Sequence, residues 1–277
     1  AAVRSIRGTF CRSAFMNEEA LADALTHLPL GEIRYFDAIG STNDEALIWG
    51  NAGAPGLSLI VADEQTRGRG RMKRAWFTPP QAALAFSLIL RPTIAEQPHL
   101  SKLVGLAALS IVQALETFGI SAQVKWPNDI LIHQRKAAGI LTIWSGEQAV
   151  CAVIGVGLNV TKQAVPSADA LTLPAVSLED ALGRIIPREE LIRNILTAFI
   201  ELRPQLSADA LIHQWNKMLA YRGERVSVEV GAGQTLTGSL DGLLPDGSLC
   251  LRGDNGKRII VHFGDVRLRP FADILER

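Results

Sequence analysis

Gln65-Thr66-Arg67-Gly68-Arg69-Gly70-Arg71-Met72-Lys73-Arg74-Ala75-Trp76 gathers four arginines, a lysine, two glycines and an indole into twelve residues. Gly68 and Gly70 lack a Cβ, so backbone N–H groups there can approach an anion closely. Arg67, Arg69, Arg71 and Arg74 offer forked donors to phosphate or carboxylate oxygens, and Lys73 a point charge. Trp76 offers a face for a purine or a cation. A run rich in arginine and glycine can equally be a solvated surface segment. Its neighbours decide the fold reading, because 57–62 and 82–90 are apolar runs of strand length. The cationic stretch is then a loop mounted between two buried strands, a common place for a site.

With 277 residues, 48% of them hydrophobic, the chain can bury a full core and has room for one large domain and a small one. Basic and acidic residues number 28 each, so the net charge is zero. Bulk charge draws the chain neither to DNA nor to acidic lipid, and the arginine loop must act locally on a small anion. The longest apolar runs, 82–90 and 103–115, are too short or too interrupted to span a bilayer. Residues 1–12 lack the continuous apolar stretch of a secretion signal. Cys11, Cys151 and Cys250 are odd in number and far apart, which suits a reducing cytoplasm and argues against structural zinc.

Upstream of the loop, 17–27 has the pattern of a short helix, and 33–36 that of a strand leading into Ser41-Thr42-Asn43-Asp44-Glu45. Thr42 with Glu45 three residues later is a capping-box pattern, predicting a helix from here to about Gly50. Its free N–H groups also make such an N-terminus a seat for a polar ligand. Downstream, 101–118 carries apolar residues at helical spacing with Gly119 as a stop. A strand at 122–126 follows and is interrupted at Pro127-Asn128-Asp129. Segments 130–132 and 137–144 then read as a hairpin, with Arg135 and Lys136 near its turn. The strand from 149 closes on Gly155-Val156-Gly157-Leu158-Asn159. That is weak evidence for a nucleotide, and no Walker or Rossmann pattern occurs.

Lys125, Asn128, Asp129 and Lys136 stand out because charged side chains in a core-forming segment need partners. Lys125 and Asp129 are either a solvated turn pair or groups facing a ligand. In the second case the lysines neutralise phosphate or carboxylate oxygens, while Asp129 holds Mg²⁺ through water or orients a lysine.

Segment 164–177, rich in Pro, Ser, Ala and Thr, reads as a flexible loop. Residues 187–203 and 207–219 read as helices, with Trp215 in the core. From Arg225 the texture changes to short strands at 225–230, 234–240, 248–252 and 257–262. Turns at Gly231-Ala232-Gly233, Pro245-Asp246-Gly247 and Asp254-Asn255-Gly256 separate them, predicting a small antiparallel barrel and a domain boundary at 221–223.

Taken in order, Ser41-Thr42-Asn43, the 65–76 loop, Lys125-Trp126-Pro127-Asn128-Asp129, Arg135-Lys136-Ala137-Ala138-Gly139-Ile140-Leu141 and Gly155-Val156-Gly157-Leu158-Asn159 resemble the biotin protein ligases. Gly264-Asp265-Val266-Arg267-Leu268-Arg269 resembles their closing domain. The resemblance implies an α+β fold, with a mixed-sheet catalytic domain of the biotin/lipoate ligase type over 1–221 and an SH3-like C-terminal β-barrel over 222–277. It implies that biotin carboxylate attacks the α-phosphate of ATP to give biotinyl-5′-AMP, and that a lysine of a carrier domain then takes the biotinyl group and releases AMP. The carrier would be the biotin carboxyl carrier protein or domain of a biotin-dependent carboxylase, such as acetyl-CoA carboxylase.

The resemblance places Ser41, Thr42, Asn43, Gln65, Gly68, Arg69, Gly70, Arg71, Lys136 and Gly139 around biotin. Arg69, Arg71, Arg74, Trp76, Lys125, Asn128, Lys136, Asn159 and Arg269 fall around ATP and the adenylate. Lys136, Arg71, Lys125 and Asp129 form the catalytic set, with Arg71 retaining the intermediate and Asp129 near Mg²⁺. The family loop is closer to Ala-Gly-Arg-Gly-Arg-Arg-Gly-Arg. Arg67, Met72 and Lys73 depart from it, and Lys73 bears on loop flexibility and adenylate retention.

About thirty residues precede the first core strand, too few for a helix-turn-helix domain, so the expectation is a cytoplasmic ligase without DNA binding. Dimerisation by sheet edges, frequent in the family, is left open. So are two other functions. One is a lipoate ligase or octanoyltransferase, which shares the catalytic fold. The other is a nucleic-acid-binding module that uses Trp76 as a stacking platform, which the neutral charge disfavours.

Overall fold

The computed structural model describes residues 16–145, 151–167, 173–230, 234–262 and 266–270, without the side chains of Lys73 and 266–270. Cys11, the turn at 231–233, Gly264, Asp265 and the Arg269 side chain lie outside the described residues. Asn17 accepts the Ala20 N–H at 2.8 Å and so caps helix α1 (Glu18–Leu25). Strands β1 (Ile33–Ile39) and β2 (Ser58–Gln65) are parallel. A parallel pair needs a crossover, and helix α2 (Thr42–Asn51) supplies it.

The remaining strands of the large sheet are β3 (Ala83–Leu90), β4 (Gln123–Lys125), β5 (Asp129–Ile132), β6 (Arg135–Ser145) and β7 (Cys151–Asn159). Their order is β1-β2-β3-β7-β6-β5-β4, and every pair after the first is antiparallel. The central β3 and β7 are buried along their whole length. Both faces are covered, so their sequences are continuous rather than alternating apolar runs.

Helices α3 (Leu103–Glu116), α4 (Leu178–Leu182), α5 (Arg188–Leu202) and α6 (Asp209–Met218) complete this part of the chain. Segment Gln97–Glu116 is long and apolar enough by composition to cross a membrane, yet most of it is buried inside the fold. Leu106, Ile111 and Leu115 are fully buried, each contributing roughly 1.5–3 kcal/mol by leaving water. A Cβ at Gly105 would overlap the Trp215 ring, so this glycine lets α3 and α6 meet around a fully buried indole. Trp215 is therefore core, as expected.

The second sheet comprises β8 (Arg225–Val230), β9 (Gln234–Leu243), β10 (Leu249–Arg252), β11 (Arg258–Val261) and β12 (Val266–Pro270). It is antiparallel throughout, in the order β11-β10-β9-β8-β12. The four expected strands are present, and β12 is a fifth that turn spacing did not reveal. Val226, Val228, Leu240, Leu249 and Leu251 belong to the same apolar cluster as the large sheet, so the two sheets share one continuous core.

Candidate active site

The 65–76 segment is a closed hairpin. Trp76 N donates to Gly68 O at 2.9 Å, Gly70 N donates to Arg74 O at 2.7 Å, and Arg71–Lys73 forms a single tight turn with Met72 at φ 56. A Cβ at Gly68 would run into the Trp76 carbonyl, so glycine is required there by close approach. The arginines take separate partners. Arg69 pairs with Asp44 in the first turn of α2. Arg71 Nη1 donates to Asn128 Oδ1 at 3.4 Å, and Arg74 Nε to Arg71 O at 3.4 Å.

Beneath the hairpin, the start of α2 forms a buried polar network. Ser41 is the N-cap and its hydroxyl makes no cap bond, so Thr42 is the first helical residue. The expected capping box does not form. Glu45 pairs with Arg34 at 3.2 Å, and Thr42 donates through N and Oγ1 to Gln65 Oε1 at 2.9 and 3.1 Å. Thr42 is buried against the end of β2, where Gln65 supplies an acceptor that an exposed N-terminus would lack. Gln65 Nε2 passes the chain to Thr78 Oγ1 at 3.1 Å, and Asn43 Nδ2 donates to Leu141 O at 3.3 Å.

Ser87 Oγ lies 2.6 Å from Asn43 Oδ1 and 2.8 Å from Thr42 Oγ1. This serine was not anticipated. The available signal was a lone hydroxyl inside the apolar run Ala-Leu-Ala-Phe-Ser-Leu-Ile-Leu, because a buried hydroxyl needs a partner.

The charged residues of 125–136 converge on the other side. Lys125 and Asp129 face each other across β4 and β5, with Lys136 on β6. Asp129 Oδ2 is 3.4 Å from Lys125 Nζ, Asp129 Oδ1 is 2.6 Å from Lys136 Nζ, and the Lys125 and Asp129 side chains are each only 12% exposed. The solvated turn pair is thereby excluded. Burial works against the Asp129 charge, but Lys136 and then Lys125 outweigh it and hold the carboxyl below its usual range. Asn128 Nδ2 donates to Ile140 O at 2.9 Å.

Segment 164–177, expected as a flexible loop, is in part a wall of the site. Lys136 N donates to Pro174 O at 2.7 Å and Val176 N to Lys136 O at 3.0 Å. Asn159 Nδ2 donates to the carbonyls of Val176, at 3.2 Å, and Lys136, at 3.4 Å. The backbone polar groups of Lys136 must be paired at this depth, and 174–176 pairs them.

Together these elements enclose a cavity of about 390 Å³, within the range of small-molecule sites. Ser41, Thr42, Asn43, Gln65, Arg69, Gly70, Arg71, Arg74, Trp76, Lys125, Asn128, Asp129, Lys136, Gly139 and Asn159 all line it. Gly68 stands behind the wall. Arg269 lies in β12 opposite Ser227, with its side chain outside the described residues. Phe77, Gly155, Gly157, Leu173 and Ala175 also line the cavity and were not anticipated as site residues.

The Trp76 ring sits over Gly139 and Gly157, where a Cβ would crowd it, and Lys136 Nζ is 5.3 Å from its centroid. Trp76 Nε1 is buried without a partner among the described residues. Among the described residues, five cations line the cavity against one carboxylate, Asp129. The cavity thus combines the neutral hydrogen-bonding groups of the α2 network with fixed positive charge. This suits a ligand with a polar uncharged head and an anionic tail, beside a polyphosphate.

The model of the biotin/lipoate A/B protein ligase family matches residues 35–159, and that of the biotin protein ligase C terminal domain matches 222–269. The biotin--[acetyl-CoA-carboxylase] ligase of Mycobacterium tuberculosis is 34% identical over 268 residues, covering 91% of this chain and 95% of that one. The bifunctional ligase/repressor BirA of Bacillus spizizenii is 43% identical over 168 residues, 60% of this chain. The matched region is 51% of that relative's length, so the chain spans about half of it. Among solved structures, biotin protein ligase from Aquifex aeolicus in complex with biotin and ATP superposes with a TM-score of 0.73 at 25% identity, covering 86% of this chain and 99% of that one. By sequence and by fold, this chain belongs to the biotin protein ligase family.

Proposed function

We propose that the protein joins biotin to a lysine of a biotin carboxyl carrier domain in an ATP-dependent reaction through biotinyl-5′-AMP. The observation that carries this reading is Lys136 Nζ, held 2.6 Å from Asp129 in a cavity also lined by Thr42, Asn43 and Gln65, whose network Ser87 supports from behind. Biotin's ureido head would lie on that network and on Ser41, placing its carboxylate toward Lys136. A carboxylate oxygen attacks the α-phosphorus of ATP, the bond to the bridging oxygen breaks, and pyrophosphate leaves.

Both reactants are anions, so the barrier falls when fixed cations offset their repulsion without reorganising. Lys136 bridges the carboxylate and the α-phosphate, and Lys125, Arg69, Arg71 and Arg74 take the remaining phosphate charge. Trp76 and Asn159 face the adenine. The carrier's lysine amine then attacks the acyl carbon, AMP departs, and the amide forms with loss of a proton. The hairpin orders over the adenylate and opens for the carrier.

Mg²⁺ would enter with the nucleotide, which supplies most of its oxygens. Among the described residues no cluster of three or more metal-ligating side chains occurs. Asp129 is the one carboxylate lining the cavity among the described residues, and both its oxygens meet ammonium groups, so it suits at most a water-mediated contact and chiefly orients the lysines. We place the domain boundary at 221/222 and the protein in the cytoplasm, where ATP and carboxylase carriers are found. Buried, unpaired Cys151 and Cys250 suit that compartment.

The test is pyrophosphate release from ATP and Mg²⁺ with biotin, lipoate or octanoate as the acid. Release with biotin and transfer to a carrier lysine supports the reading. Release only with lipoate or octanoate moves the chain to the sister activity.

A further inference from the structure

Of the residues 125–129, four line the cavity and Trp126 does not. Its ring is fully buried in the core, and its Nε1 donates to Gly247 O at 2.9 Å. Gly247 belongs to the β9–β10 turn of the second sheet, 121 residues away in the chain. The neighbouring carbonyl of that turn, Asp246 O, accepts from Ser101 Oγ at 2.9 Å. Two successive carbonyls of one turn are thus tied to the large sheet's side of the molecule.

The turn is itself braced. Gly247 N donates to Leu244 O, and Leu244 N to Ser248 O, both at 2.9 Å. The Asp246 carboxylate accepts from Ser248 N at 2.9 Å and from Ser248 Oγ at 2.8 Å. Gly247 has φ 86, a left-handed conformation that favours glycine.

The turn meets a short hairpin of the large sheet. The strands β4 and β5 are three and four residues long, and β4 lies at the edge of its sheet. Residues 126–128 form the tip of that hairpin, flanked by Lys125 and Asp129. A short edge hairpin contributes few ladder bonds of its own, so backbone bonds from Ala220 N to Val124 O and from Ile140 N to Asn128 O, both at 2.9 Å, and side-chain anchors hold it together. Asn128 is held from the cavity side by Ile140 O, and Trp126 from the opposite side by Gly247 O.

We infer that Asp246 and Trp126 are positioning residues for the phosphate-facing lysine, because the braced β9–β10 turn fixes the tip of the β4–β5 hairpin and with it Lys125 and Asp129. This rests on the function proposed above and adds what the second sheet does for it. The biotin network of α2, β2 and β3 is not connected to this turn by any of these bonds. Loosening the turn therefore perturbs the nucleotide side selectively.

The experiment compares Trp126→Phe, which removes the indole donor together with part of the buried ring, with Asp246→Ala, Asp246→Asn and Ser101→Ala. Initial rates of pyrophosphate release are measured with ATP and biotin varied separately, and ATP and biotin binding are each measured directly by calorimetry. Losing the indole bond in Trp126→Phe, or the two bonds from Ser248 in Asp246→Ala, should raise KM and Kd for ATP about five- to tenfold and leave biotin affinity near wild type. Asp246→Asn keeps an acceptor for Ser248 N and should recover most of the loss.

Ser101→Ala touches no buried ring, so it keeps the test open if a core variant fails to fold. It should shift ATP affinity in the same direction by about two- to threefold. Unchanged ATP affinity in the folded variants, or equal weakening of ATP and biotin, overturns the inference. If the wild type releases no pyrophosphate with biotin, the proposed function fails, and the direct ATP titrations still decide the role of the turn.

Discussion

Asp129 Oδ1 lies 2.6 Å from Lys136 Nζ, and its second oxygen is turned to Lys125 at 3.4 Å. One buried carboxylate therefore holds two ammonium groups on three adjacent strands. Were both lysines to relax toward solvent, Asp129 would be left uncompensated, at a cost of roughly 3–5 kcal/mol for a broken buried pair. This preorganises positive charge where, in the proposed reaction, a carboxylate and a phosphate meet.

Lys136→Ala should lower kcat/KM for biotin-dependent pyrophosphate release by about 10²–10³, the scale of one lost electrostatic stabiliser in a transition state. Stopped pyrophosphate assays on the folded variant check this. Adenylation at the wild-type rate would remove Lys136 from the chemistry.

The Asp129 charge also sets a pH dependence. Its folded pKa is depressed below the unfolded value of 3.8, so its stabilisation is complete above that value and lost as pH falls through the folded one. Urea unfolding of the wild type and Asp129→Asn should therefore show a constant stability gap at neutral and mildly acidic pH, narrowing only below about pH 4. A gap that has closed by about pH 6 would show that the lysines do not hold the carboxylate ionised.

Ser87→Ala should leave the buried Asn43 Oδ1 without its 2.6 Å hydroxyl donor, costing about 1–3 kcal/mol of stability. The displaced network should weaken biotin binding by about tenfold and leave ATP binding unaltered. Calorimetric titration of both ligands distinguishes this from general destabilisation, which would weaken them in parallel.

Gly157→Ala places a Cβ in the Trp76 indole. Overpacking of this kind costs about 1–3 kcal/mol, so the ring should shift and the efficiency with ATP fall by about tenfold. A crystal structure of the variant with the indole unmoved would contradict this account of the seat.

Much of the fold follows from local pattern. The continuous apolar run at 82–90, the helical spacing of 101–118 and the turn residues after 225 specify β3, α3 and the second sheet through period and burial alone. Glycines, arginines and lysines at fixed spacing likewise marked the hairpin and the 125–136 segment as candidates, because those residue types suit anions, and both line one cavity. The rest depended on which distant segments the topology makes neighbours. Thr42 forms no capping box because Gln65 of β2 is beside it. Ser87 meets Asn43 because α2 crosses β3, and 174–176 is a wall because the backbone of Lys136 needs partners. Trp126 finds its acceptor in the turn before Ser248. A residue's period and chemistry are local, so sequence determined which segments are strands and which carry charge. A hydrogen-bond partner more than a hundred residues away is set by how the sheets close on one core, and only the tertiary structure decides that.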